Sequence, residues 1–546
     1  MTYAGDGRLP VIYVRGYAGG PSGIDKAVDD PFYGFNEGSV QVRVDGSDRP
    51  VFHQFESPLL RLLMDHGYQL IVQGDQLAYL QAQPAQSVPA ATIWVHRFYD
   101  EFAPGLTKDP NAFSIERAAQ SLVDLILLVR KQTGAPRVFL VAHSMGGLVV
   151  RAAVQKTIPD SPTLGGTLDA ARAFVDRIFT YATPHGGIDF ALGGGLLEKL
   201  RDALNPSGAN IFGPERMAEY LTPALAGPPP SSGFEATVMP RDGFPLDRLF
   251  CLVGTDAQDY AVGHGIPAKA VGPRSDGLVQ FDDAAVQGAP RALVHRSHSG
   301  PYGIVNSEEG YQNLRRFLFG DISVTASLTD LQLPGTPDDG VDWQLETALS
   351  IRGLPVVLHE QSTAYLCPIQ VERPATADTP ATPVPLVQTY LSTAARRPTD
   401  AEGVPAPTMR HVLRLRLLSL QRRGGFLSFV DHLEQTADWA DVLVVDIQAT
   451  SAQPHAWAVW HSSMSTAISQ WAPDPAKDAP LTDEDAAAGV WRARVPVPQN
   501  ARGLLGPDAA ITLEVRPRAT VDVSEHAAAG TAAGGASLAG GPGSPV

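Results

Sequence analysis

Two textures divide this chain of 546 residues, and each predicts its own fold class. Up to about residue 320, short apolar runs alternate with helical patterns. That alternation predicts an α/β architecture, a mostly parallel sheet with helices on both faces. Past Gly320 the runs shorten, alternate apolar with polar residues, and are parted by proline- and glycine-rich turns. This predicts an all-β, sandwich-like region of antiparallel strands. The length also exceeds what one core sustains. The expected division is an α/β domain at 1–320, a β-sandwich-like domain at 321–523, and a disordered tail at 524–546.

The elements follow in order. LPVIYVRG is a short buried strand ending in glycine, and SPLLRLLMDHG is a helix stopped by Gly67. ATIWVHRFYD is the next strand. NAFSIERAAQSLVDLILLVRKQTG sets Ile115, Ala119, Leu122, Ile126 and Val129 on one helical face and closes with basic residues and Gly134, as a helix end should. RVFLVAH is a strand, GGLVVRAAVQKT a helix, VDRIFTYAT, DRLFCLVGT and RALVHRS strands, and IVNSEEGYQNLRRFLFG a closing helix. Further on, DISVTASL, RHVLRLRLLSL, ADVLVVDIQAT, AWAVWHS, VWRARVPV and AITLEVRPR are half-buried strands. In the second of these, Leu413, Leu415 and Leu417 share one face and Arg414 and Arg416 the other. The closing AAAGTAAGGASLAGGPGSPV is too small and flexible to pack.

Composition sets limits. Hydrophobic residues make up 44% and charged residues 18%, the balance of a globular chain. A net charge of −16 with no basic stripe argues against nucleic acid as partner. Cys251 and Cys367 form no disulfide framework, and Cys251 in LFCLVG reads as a small buried hydrophobe. No run reaches the roughly 18 apolar residues of a membrane span, so no transmembrane segment is expected. MTYAGDGRLPVIYVRG has no basic start followed by a long apolar run, so no signal peptide is expected in it. Cytoplasmic is the default location, with secretion left open.

The chemistry begins at FLVAHSMGGLV. An apolar strand stops at a serine flanked by small residues, and a helix begins. One reading is an ordinary strand–helix turn with an exposed hydroxyl. The other is a nucleophile elbow, with Ser144 on a strained turn at the carboxyl edge of the sheet and Ala142 and Gly146 small enough for strand and helix to approach. The motif is G-x-S-x-G in its usual form, so Ala142 is a mild departure. A serine hydroxyl is a weak nucleophile at neutral pH. It needs a base, and the base needs an orienting carboxylate. Two carboxylates follow a strand end at the right edge, Asp256 and Asp276. Two histidines follow the last strand before the last helix, His295 and His298. His295 lies within LVH; His298 stands in SHSG, where a loop can bring it to Ser144. His143 beside the serine reads as a packing or pocket-lining residue, and His185 as a hydrogen-bonding loop residue.

AHSMGG, VIYVRGY, YATPHGG and SDGLV occur in an order that resembles the α/β-hydrolase superfamily, its bacterial lipase and esterase branch in particular, over about residues 1–320. The resemblance implies a serine hydrolase cleaving carboxylic esters through an acyl-enzyme. In that scheme Ser144 is the nucleophile, Asp276 the acid (favoured over Asp256 because SDGLV matches the lipase segment), and His298 the base. The oxyanion hole would use the backbone N–H groups of Met145 and Tyr17. Arg15 stands where the family has histidine, which bears on how that loop is held. The insertion at about 188–248 sits where such enzymes carry a cap. Leu196, Leu197, Leu200 and Leu204 on one helical side of LLEKLRDAL could cover an acyl pocket or pack on the body. A second insertion, PSGIDKAVDDPFYGFNEGSVQVRVDGSDRP, could wall the cleft with Phe32, Tyr33 and Phe35.

The expected partner is an ester or lipid-like small molecule. No cofactor is needed, and scattered histidines without HExxH argue against a metal. The same triad would equally serve a thioesterase, amidase or acyltransferase. A non-catalytic scaffold, with partner or surface binding by the β-rich region, is the competing class.

Overall fold

The computed structural model describes residues 8–16, 32, 34–44, 49–72, 74–98, 114–188, 209–230, 232–259, 271–336, 339–373, 381–392, 408–421, 437–448, 455–474, 477–485 and 490–518. Tyr17, Tyr33, Leu196, Leu197, Leu200, Leu204 and the stretch 524–546 lie outside them.

Six strands form one parallel sheet: β1 (Val11–Val14), β4 (Ile93–His96), β5 (Val138–His143), β6 (Val175–Tyr181), β7 (Leu249–Gly254) and β8 (Arg291–Val294). Their order is β4-β1-β5-β6-β7-β8. Every residue of β1, β4, β6 and β7 is buried. Except for Asp176, Arg177 and Thr180 in β6, these are near-continuous apolar runs, because helices cover both faces. Alternate side chains enter two core layers. Ile12, Val14, Leu140, Ala142, Ile178, Cys251 and Val253 face one. Val11, Tyr13, Phe139, Val141, Phe179, Phe250 and Leu252 face the other. The first layer is closed by α3 (Ile115–Thr133) and α4 (Met145–Ala152), through Leu122, Ile126, Leu148 and Val149. The second is closed by α1 (Pro58–His66) and α6 (Glu308–Phe319), through Leu59, Leu62, Tyr311, Leu314 and Phe317. Each such side chain removed from water contributes about 1.5–3 kcal/mol.

Local signals set the helix limits. In α3 the Ser114 hydroxyl accepts the Arg117 N–H at 3.2 Å, and Gly134 closes the helix at φ 71°. That left-handed end suits glycine, which has no β-carbon to clash. The helix read over GGLVVRAAVQKT begins as α4 and widens to a π turn over Ala153–Thr157. α2 (Gln76–Ala82) completes the segment before β4.

The second insertion differs from expectation. It contains an antiparallel hairpin, β2 (Ser39–Val44) with β3 (Pro50–Phe55). Phe32 and Phe35 do not wall a cleft; both are buried in the core layer of α1 and α6. Phe35 stacks on Tyr13 with ring centroids 4.0 Å apart. Large rings in an otherwise polar loop gain most by leaving water. In the described part of the 188–248 insertion, α5 (Pro214–Leu221) packs Met217, Tyr220 and Leu221 into the α3–α4 layer.

The region after Gly320 is antiparallel. One sheet runs β11 (Val357–Gln361), β10 (Val341–Ile351), β14 (Met409–Gln421), β15 (Trp439–Gln448), β16 (His455–Trp460), with β12 (Ile369–Val371) also on β10. The other runs β13 (Val384–Leu391), β9 (Ile322–Thr329), β18 (Ala510–Pro517), β17 (Trp491–Pro496). One core joins them, with Leu345, Leu413, Leu415, Leu417 and Leu443 from the first sheet and Val324, Leu328, Ala493, Leu513 and Val515 from the second. Arg414 and Arg416 are exposed, as the alternation requires. β10 through β13 were not singled out in the sequence.

Candidate active site

The chain runs from β1 to the edge strand β4, then returns past β1 to β5 and continues outward through β6, β7 and β8. The direction of travel therefore reverses between β1 and β5. At such a switch point the connections leave the carboxyl ends of neighbouring strands in opposite directions and open a crevice. Val14 of β1 is in register with Ala142 of β5, so Arg15-Gly16 and His143-Ser144 emerge side by side.

Ser144 sits at φ 54°, ψ −132°. A non-glycine residue there costs about 1–3 kcal/mol, and it persists only where its surroundings over-determine it. They do so here. The Ser144 N–H donates to the Tyr181 carbonyl at 2.9 Å, and the Gly147 N–H donates to the Ser144 carbonyl at 3.0 Å. A β-carbon on Gly146 would lie 2.2 Å from the Val14 oxygen, and one on Gly16 would lie 2.7 Å from the Ser144 β-carbon. Both positions need glycine for close approach. Ala142, two residues before the serine, is fully buried. Met145 is the first residue of α4, where backbone N–H groups have no acceptor within the helix and favour negative charge.

The structure brings Ser144, His298 and Asp276 into one hydrogen-bonded line. His298 Nε2 lies 2.9 Å from Ser144 Oγ, and His298 Nδ1 lies 2.9 Å from Asp276 Oδ2. A carboxylate on Nδ1 favours the tautomer with its proton there, leaving Nε2 to accept the serine O–H. The other carboxylate oxygen, Oδ1, accepts the N–H groups of Leu278 at 3.0 Å and Val279 at 2.8 Å. The His298 N–H donates to the Asp276 carbonyl at 2.8 Å. All three residues are buried, so these bonds act in a low dielectric.

The rival residues lie elsewhere. Asp256 Oδ1 accepts the N–H groups of Gln258 and Asp259 at 3.0 and 3.1 Å, capping its own turn. His295 is exposed and stacks on Tyr365, with Nδ1 3.5 Å from Thr255 Oγ1. His143 turns Nε2 to the His298 carbonyl at 2.9 Å. Burial first, then the neighbouring His298, push the His143 ring down to about 3, so it stays neutral and holds the loop. His185 bonds Thr180 Oγ1 at 3.1 Å, and burial holds its pKa well below the usual range. Arg15 is buried beside these groups. The partner expected for the Met145 N–H, Tyr17, lies outside the described residues.

One bracing contact escaped the sequence reading. Arg296 grips Glu309 of α6, with Nε to Oε2 at 3.1 Å and Nη2 to Oε1 at 3.1 Å. The pair is nearly buried and fixes the loop two residues before His298. Nothing in the local pattern around Glu309 separates it from an ordinary surface carboxylate. Among the described residues no group of three or more histidine, cysteine, aspartate or glutamate side chains is arranged to hold a metal ion. No described helix is long and apolar enough to cross a membrane.

No protein-family model and no curated protein matches the chain. Among solved structures it is similar to a gene product of Listeria innocua, at 12% identity over 57% of this chain and 94% of that one, with a TM-score of 0.24. It is also similar to lipase B of Aspergillus fumigatus, at 12% identity over 58% of this chain and 53% of that one, TM-score 0.27. A third is a proline iminopeptidase-related protein of Thermus thermophilus, at 16% identity over 58% of this chain and 91% of that one, TM-score 0.24.

Proposed function

We propose that the chain is an α/β-hydrolase whose 1–320 domain cleaves carboxylic esters, with a β-sandwich-like domain at 321–523. The observation that carries this reading is the line Asp276–His298–Ser144, two contacts of 2.9 Å ending on a serine at φ 54°. A turn that only packed would need neither the strain nor the carboxylate behind the imidazole.

The line of carboxylate, imidazole and hydroxyl supports the following steps. His298 Nε2 takes the Ser144 proton as Oγ attacks the acyl carbon, and Asp276 stabilises the imidazolium without taking a proton. Charge gathers on the carbonyl oxygen, which the Met145 N–H meets at the start of α4, with the Tyr17 N–H as second donor. The imidazolium gives its proton to the leaving alkoxide. Water, deprotonated by His298, then releases the acid from the acyl-serine and restores the hydroxyl. None of these steps calls for a cofactor.

The test is a fluorophosphonate label together with a series of nitrophenyl esters of rising acyl length. Wild type should be labelled at Ser144 and turn over part of the series, and Ser144→Ala should do neither. The chain-length optimum then separates esterase from lipase. A wild-type protein that takes no label and cleaves no ester, thioester or amide would overturn the reading and favour a scaffold role.

A further inference from the structure

The antiparallel region meets the parallel-sheet region on the residues that flank His298. Between β11 and β12 a short turn at Thr363–Tyr365 carries Tyr365, whose ring lies flat on His295 with centroids 3.8 Å apart and planes 11° apart. His295 starts the loop that carries His298. Two residues beyond Tyr365, Cys367 is buried in the core layer that also holds Val279 and Phe281, which follow Asp276 in sequence.

Two more ties lie just upstream on β11. His359 Nδ1 accepts the N–H of Leu293 in β8 at 3.2 Å, while its Nε2 faces Gln361 Oε1 at 3.2 Å. Burial holds this ring at a pKa of about 4, so it remains a neutral acceptor at physiological pH. The Leu358 carbonyl accepts Asn313 Nδ2 at 2.9 Å, and Asn313 belongs to α6, the helix whose Glu309 holds Arg296. Strand, loop and helix around His298 are thus each met by one edge of the antiparallel region, β11 and the turn after it.

We infer that the turn at Thr363–Tyr365, through the stack of Tyr365 on His295, is a positioning element for the loop that presents His298 to Ser144. This rests on the hydrolase reading above. It makes the antiparallel region part of the hydrolytic apparatus and not an appended module. Tyr365 acts through His295 and the loop backbone, so its effect falls on the reactivity of Ser144 and not on substrate affinity.

The experiment compares wild type, Tyr365→Ala and Tyr365→Phe in the full chain, by the rate of fluorophosphonate labelling, by kcat and KM on the best nitrophenyl ester, and by Tm. Misplacing a catalytic group by about 1 Å can cost on the order of a hundredfold. The expected result is a fall of about ten- to a hundredfold in labelling rate and kcat for Tyr365→Ala. KM should be unchanged, Tm should move by no more than ~2–4 °C, and Tyr365→Phe, which keeps the ring, should restore the rate. Labelling of Tyr365→Ala at the wild-type rate overturns the inference. So does a rise in KM at constant kcat, which would make Tyr365 a pocket wall, or a loss of rate that only tracks a collapse in Tm. If wild type itself takes no label, the hydrolase reading has failed, and this inference falls with it.

Discussion

The parallel and antiparallel regions bury their strands in opposite ways. In the first, β1, β4, β6 and β7 are covered on both faces along their whole length; apart from the buried Asp176, Arg177 and Thr180 of β6, their polar side chains gather where a strand stops. Ser144 follows β5, Asp276 lies in the connection after β7, and His298 follows β8. In the second region β9 buries every other residue, and polar side chains line an outer face throughout. Its most deeply buried charges form a closed pair. Arg410 meets Asp446 in two contacts of 2.8 Å and also donates to the Ile468 carbonyl at 2.9 Å. The sheet sealed on both faces gathers Ser144, His298 and Asp276 at one edge, whereas the antiparallel sheets spread polar groups out and pair the charges they bury most deeply.

The comparison can be tested from its strongest consequence downward. Asp276→Asn should leave the fold intact but give His298 the wrong tautomer, for a loss of about 10⁴ in kcat. Turnover of the nitrophenyl ester measures it, and a loss below tenfold would mean that the edge cluster is not acting as a unit. Asp446→Ala attacks the other region, leaving Arg410 charged and buried without its partner. A buried pair broken this way costs about 3–5 kcal/mol, read as a fall in the urea midpoint, while labelling of Ser144 below the transition should keep its rate. A labelling rate that dropped with the midpoint would erase the contrast between an edge that reacts and pairs that only stabilise.

The smallest expected effect is on acid stability. Burial lowers His96 to about 4, His143 to about 3 and His185 well below the usual range in the parallel region, and His359 and His411 to about 4 in the antiparallel one. Each of these histidines binds its proton near pH 6.5 when the chain is unfolded. The unfolded state therefore holds more protons between about pH 6.5 and 4. The stability these groups contribute is complete above that window and is lost as pH falls through it. Hydrogen exchange at pH 7, 6 and 5 should show amides of β5 losing protection at least as steeply as those of β14. A flat profile in both regions would contradict the burial of neutral imidazoles.

Much of this was legible in the amino-acid order because it is local. The alternation of apolar runs with helical patterns, Ser114 and Gly134 at the ends of α3, and Leu413, Leu415 and Leu417 against Arg414 and Arg416 each depend on neighbours a few residues away, and periodicity reports those. AHSMGG also announces its turn, since strand, serine and small residues are adjacent. The hairpin of β2 and β3 does not stand out in the sequence because its two short strands, SVQVRV and PVFHQF, lie within a long polar insertion rich in glycine and aspartate. β10 through β13 were passed over among proline-rich text.

What the sequence by itself determined is the kind of sheet, the place where it turns, and a short roster of acids and bases beyond it. Which member of the roster meets Ser144 was decided only by tertiary structure. His295 and His298 are three residues apart, yet one turns outward onto Tyr365 and the other inward to the serine. Asp256 spends its carboxylate on its own turn, while Asp276 reaches across to an imidazole. Side-chain direction in a loop is set by what packs on it from distant parts of the chain, here Glu309, His143 and Tyr365, and no short-range pattern encodes those encounters.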